Sequence, residues 1–135
     1  MASNFLISAA ARNAACDAIV DLVDAGAGPG QAMLYSGSPP SVNAAATGTL
    51  LVTVDLADPA FGSATVGVCY LNGAGVGSTA AGVAGYFRFA DSNGAVVFQG
   101  VAGETADTPD MLLNLKTFVA AGTFAVLSST VTFQA

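Results

Sequence analysis

The chain has 135 residues and a net charge of −6, with no His, no Trp, one Glu and only three cationic side chains, Arg12, Arg88 and Lys116. Only 9% of it is charged and 53% is hydrophobic, where an ordinary soluble domain carries about 25% charged residues. Without His the commonest general base is missing, and three scattered cations make no patch for a phosphate backbone, so enzymatic turnover and direct nucleic-acid binding are both disfavoured. The length predicts one domain, a helix and Gly-rich turn over residues 1–30 followed by a β body over 31–135. The apolar stretches are broken well short of the ~18–20 residues of a spanning helix. The N-terminus lacks the cationic region of a signal peptide, since the first positive charge is Arg12.

In chain order, Ser3 to Asp24 reads as a helix, most securely from Ser8 onward. Ala11, Ala15, Ile19, Leu22 and Val23 recur as its apolar stripe, while Asn13, Asp17, Asp21 and Asp24 line up on another face, where Asp21 and Asp24, near the negative end of the helix dipole, are expected either to be solvated or to meet a partner donor. Gly26 is placed to cap the C-terminus, and GAGPG forbids continuation. Gln31 to Ser36 predicts a short strand that stops at SGSPPS, whose prolines favour an extended linker. Thr49 to Leu56 alternates, with Leu50, Val52, Val54 and Leu56 expected on one face and Leu51, Thr53 and Asp55 on the other. Thr65 to Asn72 is the next strand, and Asn72 to Ala84 is either a mobile loop or an extended element lying across neighbouring subunits.

In GYFRFADSNGAVVFQG two β-rich runs flank Asn93–Gly94, which predicts a hairpin with a type I′ turn. Phe87 and Phe89 share its apolar face, and Tyr86 and Arg88 share the other. Met111 to Leu115 and Thr123 to Gln134 supply two further strands beyond a polar loop at Gly103 to Asp110. The fold class expected is mainly β, an antiparallel β-sandwich or small barrel with one N-terminal α-helix.

Chemistry-bearing patterns are few. AGAGPGQ follows a helix and NGAGVG lacks both the Lys-Ser/Thr pair and a following helix, so neither builds a phosphate loop. Glu104, Asp107 and Asp110 crowd one loop without the spacing of a calcium site, and Asp55 and Asp58 oppose nothing. Ser and Thr have no His to activate them, and Cys16 and Cys69, which admit one possible bridge, read as small buried residues with no metal-binding partners. No catalytic residue, cofactor or metal is expected. The candidate interface residues are Phe5, Leu6 and Ile7, a run of large apolar side chains ahead of the polar residues, and Arg88. The last lies inside an aromatic strand, where it either pairs with an acid on its polar face or reaches a neighbouring subunit.

The segments FLISAAARNAACDAIVDLVDAGAGPGQAMLYSG, TLLVTVDLADPAFG and GYFRFADSNGAVVFQG, which together cover most of the chain, are similar to those of small virion proteins encoded in the structural gene clusters of tailed bacteriophages. The resemblance implies a non-enzymatic particle component with a β-rich body. It would be a multicopy capsid decoration or cement protein that is located in the virion after assembly in the host cytoplasm. Its expected partners are the major capsid protein or other virion proteins and further copies of itself, with no nucleic acid and no membrane. The alternatives are a tail or connector subunit, such as a tube, fibre-attachment or head-tail junction protein, and a carbohydrate- or receptor-binding β-sandwich module. The resemblance carries no site motif, and the cysteine pair departs from it.

Overall fold

Ser8 starts the helix. In the computed structural model, which describes residues 5–132, its backbone is extended and its Oγ accepts the Ala11 N–H at 3.1 Å, satisfying one of the free amides of the first turn. Helix α1 runs Ala9–Val23. Its Ala-rich first half costs little side-chain entropy, and it ends at Val23 with Asp24 as its C-cap, two residues before Gly26, the expected cap, takes φ +95°. Residues 5–8 precede the helix, and the expected start at Ser3 lies outside the described residues. The buried face is Cys16, Val20 and Val23, one position along from the expected stripe, and Leu22 is exposed. Alanines bury too little area to set the roll of the helix, and its polar side chains set it instead.

Eight strands follow: β1 (Gln31–Ser36), β2 (Leu50–Asp55), β3 (Val68–Tyr70), β4 (Gly82–Ala90), β5 (Val96–Gly103), β6 (Met111–Leu113), β7 (Thr117–Phe118) and β8 (Val126–Thr132). They form one mixed sheet in the order β2-β1-β4-β5-β6-β8-β3, with β7 against the start of β4. All pairs are antiparallel except β5 and β6, whose two residue pairs, Ala102 with Met111 and Gly103 with Leu112, run parallel. The expectation of a wholly antiparallel sheet is corrected at that point. Asp110 reverses the chain there, giving its N–H to the Val101 carbonyl and accepting the Val101 N–H on Oδ2, both at 2.9 Å.

The barrel alternative is also corrected. Beyond the ends of β2 and β3 the chain pairs through isolated bridges, Phe61 with Leu71 and Leu56 with Ala74, and scattered backbone hydrogen bonds, so no continuous ladder closes the sheet. Residues 74–80 instead run along the outer edge of β2, with Gly75 N–H on the Asp55 carbonyl at 2.7 Å and Ala80 N–H on the Leu51 carbonyl at 2.8 Å. Thr79 ties this edge to residues 119–122 through its N–H, carbonyl and Oγ1. The stretch read as a loop or a reach toward neighbouring subunits is thus partly an edge cover within its own chain and partly the first three residues of β4. Covering the edge removes a row of unpaired amides that would otherwise template aggregation.

The register places Val52, Val54, Ala32, Leu34, Phe87 and Phe89 on one inner face. Phe61, Phe87, Phe89 and Phe98 meet there edge-on or tilted, the closest pair being Phe89 and Phe98 at 4.9 Å between centroids. Cys69, Met111 and Leu113 close the core from the far half of the sheet, and α1 packs across its end. In β2 the buried leucine is Leu51, with Leu50 47% exposed, the reverse of the expected alternation. A register shift at Leu34/Tyr35 falls opposite these two residues and offsets the pleat.

Two turns also differ from expectation. At Asn93–Gly94 only Gly94 has positive φ, +86°, so this is a turn with a bulge and not type I′. Asp91 causes it: its Oδ1 accepts the N–H groups of Asn93 (2.9 Å) and Ala95 (3.0 Å) and holds the preceding residues right-handed. The two-residue hairpin with positive φ at both positions lies at Val66 (+52°) and Gly67 (+76°), closed by reciprocal bonds between Thr65 and Val68.

Candidate functional site

Strand alternation puts Tyr35, Tyr86, Arg88 and Gln99 on the outer face of β1, β4 and β5. The segment after β1, containing SGSPPS, does not extend away as a linker but folds back across that face. Tyr86 Oη donates to the Thr47 carbonyl at 2.6 Å and accepts the Thr47 N–H at 3.0 Å, while its ring stacks on Tyr35 at 5.0 Å. Burial, with Tyr86 alongside, raises the pKa of Tyr35. Arg88 is only 4% exposed. Its Nε donates to Gln99 Oε1 at 3.0 Å and its Nη2 to the Ser41 carbonyl at 3.2 Å, and Gln99 Nε2 donates to the Pro40 carbonyl. Neither expectation for Arg88 is met: its hydrogen-bond partners are neutral oxygens of its own chain, and the strap over it keeps it from the surface.

Phe5, Leu6 and Ile7 lie at the opposite extreme, with Phe5 79% and Leu6 81% exposed and Ile7 at the edge of exposure. Arg12 Nη1 donates to the Ile7 carbonyl at 2.9 Å and fixes the direction in which this arm leaves the helix. The four candidate interface residues therefore fall into two groups, three on the surface arm and one inside the strap, and no shared surface unites them.

A set of side-chain contacts docks the helix, and of the two acids for which a partner donor was an alternative, Asp24 has one. Asn13 Oδ1 accepts the Gly67 N–H at 2.7 Å, Asp17 Oδ1 the Ala64 N–H at 2.7 Å, and Asp24 Oδ1 the Ala60 N–H at 2.8 Å. This polar face is thus bolted to the loop between β2 and β3. The i, i+4, i+11 spacing of these side chains was the visible signal, but their partners are backbone amides that carry no side-chain signature.

Beside this ladder, Asp17, Asp21, Pro59, Phe61 and Ser63 line a cleft of about 300 Å³. A second cleft of about 330 Å³, more apolar, opens between Ile19, Phe87, Phe98 and Val131. Among the described residues no group of three or more His, Cys, Asp or Glu is arranged to hold a metal ion. No helix among them is long and apolar enough to cross a membrane. In the acidic loop, Asp107 accepts the Glu104 N–H and pairs with Lys116 Nζ at 2.8 Å, while Glu104 Oε2 accepts the Lys116 N–H. These acids hold the loop to the chain after β6. Cys16 and Cys69 are both free thiols and fully buried, as expected of small apolar residues.

No protein-family model, no curated protein and no solved structure matches the chain.

Proposed function

We propose that the chain is a non-enzymatic structural subunit of a tailed-bacteriophage virion, present in many copies and acting as a decoration or cement protein of the head. The observation that carries the reading is the exposed Phe5–Leu6–Ile7 arm ahead of a docked helix. Three consecutive large apolar side chains held at the surface are costly in a protein that works alone and useful in one that binds another surface. The composition agrees. A chain with few long charged side chains forfeits little rotamer entropy when its surface is covered, and its small, β-branched surface suits close approach to neighbouring subunits. The major capsid protein is the partner this reading assigns, with further copies of the chain beside it.

Quantitative mass spectrometry of purified particles tests the proposal. Copy numbers approaching that of the major head protein support decoration. A few copies per particle move the chain to the tail or connector, and absence from particles overturns the virion reading.

A further inference from the structure

We infer that Cys16 and Cys69 are a latent disulfide pair, able to join helix α1 covalently to strand β3 within a single chain when they react with a small-molecule disulfide such as oxidised glutathione. The inference stands on the chain's own geometry and does not depend on the virion reading.

Cys16 lies on the buried face of α1, and its Sγ donates to the Val131 carbonyl at 3.2 Å. Val131 is the register partner of Cys69 across the β3–β8 pair. From the other side, the Cys69 Sγ lies 3.7 Å from Oδ1 of Asp17, the residue that follows Cys16. The two thiols therefore occupy one buried seam between helix and sheet, each fully enclosed, and within this seam each is the other's partner of its kind. Burial, and then the Cys16 thiol beside it, push the Cys69 thiol well above its ordinary pKa, which keeps that thiol protonated and inert while the helix is docked.

Reaction needs the helix to open. One cysteine thiolate then attacks a sulfur of oxidised glutathione and expels a glutathione thiolate, forming a mixed disulfide. The second cysteine thiolate attacks the protein sulfur of that adduct and expels the second glutathione. Two protein thiols are oxidised to one disulfide, two electrons reduce one oxidised glutathione to two glutathiones, and the cysteine protons end on the departing thiolates. Closure is favoured over linkage to another copy because redocking returns the two sulfurs to the same seam, whereas a second molecule's thiols stay enclosed in its own.

The effect should be concentrated where the fold is weakest. Helix α1 buries only Cys16, Val20 and Val23 and otherwise relies on its three side-chain bonds to the neighbouring loop. A covalent link from its centre to β3 removes its freedom to leave the sheet.

The test incubates the purified full-length chain with oxidised glutathione at mildly alkaline pH, with and without enough urea to open the helix. The expected product has lost two hydrogen masses, retains no thiol reactive to maleimide after denaturation, and runs as a monomer on a non-reducing gel. It should show slower amide exchange across Ala9–Val23 and a higher melting temperature, both reversed by dithiothreitol. Comparing oxidised and reduced forms of the same chain makes the result independent of any variant's folding, and Cys69→Ala should abolish the melting shift. A stable glutathione adduct, disulfide-linked dimers, or two unreacted thiols after the urea incubation would each overturn the inference.

Discussion

Val66 holds a β-branched side chain in left-handed backbone, φ +52°, at the first position of a two-residue hairpin, and it is 70% exposed. That backbone costs an L-residue of this shape roughly 1–2 kcal/mol, a cost that Asn or Gly largely escapes. Val66→Asn is expected to stabilise the protein by about 1 kcal/mol in chemical denaturation. A clear loss of stability would show instead that the valine makes packing contacts. The sequence pointed to Asn93–Gly94 for this kind of turn, because Asn-Gly is its preferred pair, and Val66–Gly67 carries no such signal.

The second residue-scale prediction concerns pH. Lys116, hydrogen-bonded to Asp107, and then the Glu104 N–H hold the Asp107 carboxyl below the usual carboxylate range. A depressed folded pKa gives stability that is present above the ordinary carboxylate pKa and is lost as pH falls through the depressed value. The Asp107 carboxyl should therefore titrate below free aspartate by NMR, and Lys116→Met should move its midpoint upward. The pair lies at the surface, so the midpoint should move far more than global stability does.

At the scale of elements, the helix is the part whose attachment the sequence concealed. Asp17→Ala leaves the part-buried Ala64 amide without its acceptor, and a lost hydrogen bond to a charged group costs about 1–3 kcal/mol. The variant should lose about that much stability, with faster amide exchange at Ala64 and through α1, while the β4–β5 ladder keeps its protection. Unchanged exchange at Ala64 would mean water replaces the carboxylate without cost. The edge segment and the strap make a contrasting pair. Gly75 and Ala80 donate into the edge of β2, whereas residues 41–50 are exposed throughout. In dilute protein the Gly75 and Ala80 amides should exchange slowly and most amides of 41–46 rapidly, apart from Ala44, which donates to the Ser41 carbonyl. Equal, fast exchange of both segments would restore the reading in which residues 72–84 are ordered only by neighbours.

For the whole molecule, the body and the arm separate cleanly. The aromatic inner face, the covered edge of β2 and the helix across the core end supply stability, and Leu6, 81% exposed, lies outside that core. Leu6→Asp is therefore expected to leave the denaturation midpoint within about 0.5 kcal/mol of the parent, and to reduce incorporation into particles under the proposed function. Destabilisation of the isolated protein by Leu6→Asp would place the arm in the fold of the chain and remove it as a docking element.

Local chemistry was enough for much of this. The stop of the helix ahead of GAGPG, the alternation in β4 and β5, and the mainly β class with one leading helix all depend on residues close together in the chain, whose preferences act before any tertiary contact forms. The absence of His and the scarcity of cations likewise need no coordinates. Only the tertiary structure decided the roll of α1, the choice of Leu51 over Leu50, the parallel β5–β6 pair and the burial of Arg88 under the strap. Each of these depends on backbone amides and carbonyls brought from distant parts of the chain. Those groups are the same at every residue, so no side-chain pattern announces which of them a given Asp, Arg or Tyr will meet.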